Sequence, residues 1–138
     1  MKNIFDIHKA GAIIVRDRKL LLTRAKGKEF FIAPGGKLEK NETPIQCLKR
    51  ELMEEIDISF EDSDIEEFGT FYAPAVYDKT KNLRMDVFLV KNWQGEIEPS
   101  NEVEEIIWIN SKISPNIKIG SIFEHEVVPR LKSLDMID

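Results

Sequence analysis

Cysteine is nearly absent from this 138-residue chain: Cys47 stands alone, so no internal disulfide can staple the fold. Histidine is almost as scarce. His8 and His125 lie far apart, and no thiol and imidazole spacing suited to zinc occurs. Long hydrophobic runs are also missing, and no stretch approaches the ~20 apolar residues that a membrane-spanning helix requires. The N-terminus, "MKNIFDIHKAGAIIV", interleaves charge with apolar residues and has no small-residue cleavage signal. Positive charge is in deficit: 20 Lys and Arg against 25 Asp and Glu give a net charge of −5, which disfavours nucleic acid and anionic lipid as partners. Repeats, linkers and low-complexity tracts are lacking. What remains is the expectation of one domain over residues 1–138, cytoplasmic, monomeric or homodimeric, and needing a metal if it handles phosphates.

The chain does contain a clear order of elements. Ala10 to Val15 and Lys19 to Arg24 are β-rich runs separated by Arg16-Asp17-Arg18, which reads as a hairpin. "EFFIAP" is a short extended segment ending at Pro34-Gly35-Gly36, where glycine permits a sharp change of direction. Thr43 as N-cap, Pro44 at the first helical position and Gln46 completing a capping box then start a helix that should run to about Ile56. "EEFGTFYAPAVY" and "NLRMDVFLVKNW" read as strands, the second alternating Leu83, Met85, Val87 and Leu89 on one face and Arg84 and Asp86 on the other. "EEIIWIN" is another. Phe123, Val127, Leu131 and Leu134 then recur at helical steps, in a terminal helix that Pro129 should kink or shorten. The succession of strands, helix, strands, helix predicts an α/β (α+β) sandwich in which helices cover a mixed sheet.

The Thr43–Ile56 helix carries the chemistry. On a wheel of 100° per residue, Ile45, Leu48, Leu52 and Ile56 fall within about 80° and form the buried stripe. Glu51, Glu54 and Glu55 fall within about 100° on the flank beside it. Like charges three and four positions apart repel, at about 3 kcal/mol per pair for an effective dielectric near 20. A divalent cation would reverse that repulsion, and oxygen-only ligands select hard ions such as Mg²⁺ or Mn²⁺. The bland alternative is a solvated acidic face partnered by Lys49 and Arg50.

Gly36, Glu42, Arg50-Glu51-Leu52, Glu54-Glu55 and Ile58 match the Nudix box, G-x5-E-x7-R-E-U-x-E-E-x-G-U, where U is a bulky apolar residue. The one departure is Asp57 in place of the late glycine, at a position after the helix where Asp tolerates a left-handed conformation better than most residues. The chain therefore closely resembles a Nudix hydrolase of the MutT-like branch. That resemblance implies the Nudix α/β/α sandwich and hydrolysis of nucleoside triphosphates to monophosphate and pyrophosphate. It further implies that a carbonyl of the Gly35-Gly36 turn and the carboxylates of Glu51, Glu54 and Glu55 hold Mg²⁺, with Arg50 orienting the carboxylates. Glu51 and Glu55 are assigned to metal first, and Glu54 is the better-placed base if left free. A further acid is expected from Glu98, Glu102 or Glu104, with Glu102 the metal candidate carried forward. Arg24, Pro34, Gly35, Gly36 and Lys37 are expected at the substrate.

Against each stands a plainer role. Arg24 could be a solvated strand-end charge; Phe30 and Phe31, which could stack on a base, could like Trp108 be core aromatics; and Cys47 could be a small buried helix residue. "GGK" is not a P-loop, because Leu38 stands where Ser or Thr is needed. For the substrate, MutT-like enzymes selecting oxidised guanine use an Asn just before the final helix; "GSIFEHE" lacks one, and Asn116 is displaced. Pro74, sixteen residues beyond Ile58, loosely resembles the proline marker of ADP-ribose pyrophosphatases. The alternatives are thus an 8-oxo-guanine nucleotide hydrolase, an ADP-ribose or nucleotide-sugar pyrophosphatase, or a non-catalytic nucleotide-binding module.

Overall fold

The computed structural model describes residues 4–138. Among these residues nine strands and two α-helices follow in the order β1 (Ile7–Ile13), β2 (Val15–Arg16), β3 (Lys19–Ala25), β4 (Phe30–Phe31), β5 (Gly35–Lys37), α1 (Pro44–Ile56), β6 (Ile65–Pro74), β7 (Asn82–Val90), β8 (Val103–Ile109), β9 (Lys118–Ile119) and α2 (Val128–Ser133). The strands form a four-stranded sheet in the order β5-β1-β7-β6, a three-stranded sheet β2-β3-β8 and a two-stranded pair β4-β9. Only β1–β7 and β4–β9 run parallel, so the sheet structure is mixed, as the sequence predicts.

Two cores flank these sheets because successive strand residues point to opposite faces. On β3, Leu20 and Leu22 enter one core and Leu21 the other. The α1 stripe of Leu48, Leu52 and Ile56 closes one side against Ala10, Ala12, Ile14 and Phe88. Phe123, Val127 and Leu131 close the other against Ile13, Leu83 and Val87. The result is the α/β/α sandwich. Asp86, buried in β7, is accommodated by hydrogen bonds from His8, Thr70 and Arg84. Although burial alone would raise its pKa, those partners hold the carboxyl below its ordinary range.

Two expectations need correction. The predicted hairpin exists only at its tip: Val15 pairs with Leu20 and Arg16 with Lys19 around the positive-φ pair Asp17-Arg18. β1 itself leaves that pairing at Ile14 and crosses into the other sheet, between β5 and β7. In the terminal helix, Leu134 is 56% exposed and lies beyond the last helical turn, while Ile137 is buried instead. Pro129 has no N–H for the preceding turn, and Phe123–Val127 is wound as a π-turn with the Val128 N–H reaching the Phe123 carbonyl. No helix among the described residues is long and apolar enough to cross a membrane.

Candidate active site

α1 begins and ends as its sequence dictates. Thr43 Oγ1 accepts from the Gln46 N–H at 3.2 Å while Gln46 Oε1 accepts from the Thr43 N–H at 3.0 Å, and Pro44 opens the helix. At the other end Asp57 adopts φ 59° and ψ 38°, the left-handed cap expected of it, and its N–H returns to the Leu52 carbonyl. The helix is thereby fixed in length and rotation, which presents Glu51 and Glu55 to β5.

The glycine turn meets them there. Gly35 has φ +143°, and a Cβ at this position would lie 2.0 Å from the Ala10 carbonyl oxygen, so only glycine fits between β5 and β1. Its N–H donates to Glu55 Oε1 at 2.8 Å. At Gly36 a Cβ would fall 2.6 Å from the Glu51 carboxyl group, so the missing side chain is the seat for that carboxylate. Pro34 is buried, its carbonyl accepting from the Ala12 N–H at 2.9 Å.

Arg50 organises the rest. Its Nε and Nη2 donate to the two oxygens of Glu42, each at 2.8 Å, in a fork that holds the Glu42 carboxyl at a pKa of about 2. Nη1 donates to Glu51 at 2.8 Å, and Nη2 also reaches the Lys37 carbonyl at 3.2 Å. Glu54 is more loosely held, 3.7 Å from Arg50 with half of its side chain exposed. Burial raises the pKa of Glu51, against the pull of Arg50. Burial pushes Glu55 up to about 8, the Gly35 N–H only partly opposing it and the Glu51 charge adding to it. Cys47 is buried behind this arrangement, its Sγ 3.3 Å from the Gly36 carbonyl oxygen and its thiol pushed up by burial to about 12, which makes it the inert helix residue anticipated.

Among the described residues no three acidic, imidazole or thiol groups converge as a ready-made cation cage. The donor set nevertheless fits a hard divalent ion. It consists of oxygens alone, Gly36 opens room on the backbone beside Glu51, and Glu55 is a half-buried carboxyl group with no cationic ion-pair partner within 4.0 Å among those residues.

The other candidates are distributed as follows. The loop before β8 packs on the C-terminal end of α1: Glu98 and Ser100 N–H groups donate to the Ile56 and Glu55 carbonyls, and Asn101 Nδ2 donates to the Glu54 carbonyl at 2.6 Å. Glu98 and Glu102 are exposed on this loop, and the Glu102 carbonyl accepts from Lys26. Glu104 is instead bound to Arg24 at 2.7 Å, with Glu105 at 3.1 Å on the same guanidinium. Phe31 is core, Phe30 stacks edge-on against Tyr77, and Trp108 is half-buried under Arg16.

A cavity of about 280 Å³ opens beside the turn, with Gly35, Gly36 and Lys37 at one edge and Leu83, Met85 and Phe123 in its wall. Arg24, Pro34 and Asn116 do not line it, whereas Pro74 does. Neither do the aromatic candidates Phe30 and Phe31. Sequence reasoning missed Lys9, which also lines the cavity. Its signal was available in β1, "IHKAGAI", where Lys9 shares its face with Ile7 and Ile13.

Comparisons with known proteins converge on one family and fold. The NUDIX domain family pattern matches residues 7–130. An 8-oxo-dGTP diphosphatase of Haemophilus influenzae is 37% identical over 92 residues, 64% of this chain and 63% of that protein. The chain thus matches just under two thirds of the length of such curated relatives. The solution structure of the E. coli ORF135 protein superposes with a TM-score of 0.71 at 22% identity, covering 96% of this chain and 94% of the other. A MutT NUDIX hydrolase from Burkholderia pseudomallei gives 0.69 at 21% identity, over 96% and 98%. At these identities the structural likeness is one of fold.

Proposed function

Because the chain belongs to the NUDIX domain family, whose hydrolases generally need a divalent metal, we propose that it is a Mg²⁺-dependent pyrophosphohydrolase of nucleoside triphosphates, releasing the monophosphate and pyrophosphate. One observation carries the reading: Glu51 and Glu55 are brought against the Gly35-Gly36 backbone beside a cavity able to admit a small organic group. Glu51, Glu55 and a carbonyl of the glycine turn would hold the ion, with Mn²⁺ an acceptable substitute and Glu102 a further candidate from the neighbouring loop. The cation supplies charge neutralisation at the phosphoanhydride.

The residues of the chain do the remainder. Arg50 fixes Glu51 through a charge-assisted bond, so the carboxylate enters the site in one orientation. Glu54, half-exposed and weakly paired, is the group free to take a proton from water. Lys37 places an exposed ammonium at the cavity edge, where phosphate charge would fall. Arg24 would first have to leave Glu104 and Glu105 to reach substrate.

A second reading, action on oxidised guanine nucleotides, draws support from the named activity of the Haemophilus relative. Among the described residues no asparagine lines the cavity, so recognition of such a base would need another donor. A panel of nucleoside triphosphates, 8-oxo-dGTP, nucleotide sugars and ADP-ribose with Mg²⁺ or Mn²⁺ tests both. Pyrophosphate release from triphosphates is expected; binding without turnover of any member would identify a non-catalytic module.

A further inference from the structure

Lys9 is a half-buried ammonium that no acid contacts directly among the described residues. It lies in the middle of β1, opposite Lys37 on β5 and beside Met85 on β7. Ile7, Leu83 and Met85, all apolar, share its stretch of the cavity wall. Among the described residues Lys9 forms no ion pair and no side-chain hydrogen bond. Burial, and then the neighbouring Lys37 charge, lower its pKa, while Glu55 and Glu51 act in the opposite direction without contacting it. A cationic group kept in an apolar wall is unfavourable unless something of opposite charge meets it.

The cavity as a whole has the same bias. Its wall carries Lys9, Lys37 and Lys81 against a single acid, Asp78, although the chain bears a net charge of −5. Asp78 is already engaged, accepting from the N–H and hydroxyl of Thr80. The positive side of the site is therefore the β1–β5 wall, and the negative side is the α1 flank with Glu51 and Glu55. Lys9 stands where the two meet.

We infer that Lys9 is a substrate-positioning residue that takes the phosphoryl group next to the nucleoside. The inference rests on the nucleotide reading above and extends it to a residue outside the Gly36–Ile58 motif. With the nucleoside in the apolar cavity and the remaining phosphates towards the carboxylates, the first phosphoryl group must pass the β1–β5 wall. There a rigid strand fixes the root of Lys9, and the ammonium supplies a charge-assisted hydrogen bond to a phosphoryl oxygen. Lys37, exposed at the edge, is left for the phosphates further out.

The test is equilibrium binding of nucleoside 5′-monophosphates to the full chain with Mg²⁺ present, comparing wild type, Lys9→Met and Lys9→Arg. Wild type should bind at least one of AMP, GMP, CMP and UMP. Lys9→Met should weaken that binding about tenfold or more, and Lys9→Arg should restore most of it, because the bond needs a cationic donor and not a particular shape. Equal affinities in wild type and Lys9→Met would overturn the inference. A loss that Lys9→Arg fails to restore would also overturn it, since packing would then be the cause. Binding is read without turnover, so the two readings separate: Lys9-dependent binding with no hydrolysis of any triphosphate would sink only the hydrolase reading. A wild type that binds no monophosphate would sink this inference.

Discussion

The Gly35 N–H donates to Glu55 Oε1 at 2.8 Å, and this bond ties the turn before α1 to the far end of the same helix. The partner is a carboxyl group that burial has moved to a pKa of about 8 from an ordinary 4.5. Between those values the folded state holds a proton that the unfolded chain has released. The contribution of Glu55 to the stability of the metal-free protein should therefore fall as pH rises from about 4.5 to about 8 and level off above. Glu55→Gln removes this slope, so chelator-treated wild type and variant should diverge across that window and run parallel beyond it. Denaturant titrations at pH 5, 6.5 and 8 provide the check. In activity assays the same variant should lose most turnover while keeping its fold.

Arg50 reads two carboxylates at once. Lysine keeps the charge but not the fork, so Arg50→Lys should release one or both 2.8 Å bonds to Glu42 and free Glu51 to rotate. We expect a stability loss of about 2 kcal/mol, the scale of hydrogen bonds to charged partners, and a larger proportional loss of turnover. Calorimetry and initial rates on the same preparation distinguish the two effects.

The two adjacent glycines should respond differently to alanine. At Gly35 the added Cβ meets backbone, 2.0 Å from the Ala10 oxygen, and the φ of +143° is itself unfavourable, so Gly35→Ala should destabilise by at least roughly 1–3 kcal/mol from strain alone. At Gly36 the added Cβ meets only the end of the Glu51 side chain, which can swing away. Gly36→Ala should keep most of its stability and lose activity. Thermal melts paired with rate measurements decide whether the order is as stated.

These glycines also show how much was legible in the sequence. The helix limits, its capping box and the left-handed Asp57 were encoded by neighbours within a few residues, and all three appear as read. Partners distant in sequence were harder. Alternation in β1 gives its two faces but not that it leaves the β2–β3 hairpin to lie between β5 and β7. The Asn101 side chain capping the Glu54 carbonyl, 47 residues away, had no local signal. Leu134 kept helical spacing after the helix itself had ended, because periodicity does not mark a C-terminus. Arg24, weighed as a substrate contact, is engaged by two acids of β8 whose register no single strand reveals.

Asp57 offers a stabilising change. It holds φ 59° where the family pattern has glycine, and the left-handed region disfavours a side chain by about 1 kcal/mol. Asp57→Gly should raise the melting temperature modestly and leave kinetics unaltered. A decrease would mean that the Asp side chain contributes to the cap more than its backbone conformation loses.

The proposed chemistry requires the acidic edge of α1 to be a site for a divalent ion. Its most direct measurement is the melting temperature of the full chain against Mg²⁺, with NaCl at matched ionic strength as the control. An ion that binds only the folded cluster adds about 2.7 kcal/mol of apparent stability at 100 times its dissociation constant, whereas screening of exposed charge depends on ionic strength alone. The expected result is a rise with Mg²⁺ that NaCl does not reproduce and that Glu55→Gln diminishes. Equal shifts in the two salts would show that Glu51, Glu54 and Glu55 are merely a solvated acidic face, and would contradict the proposed chemistry at its base.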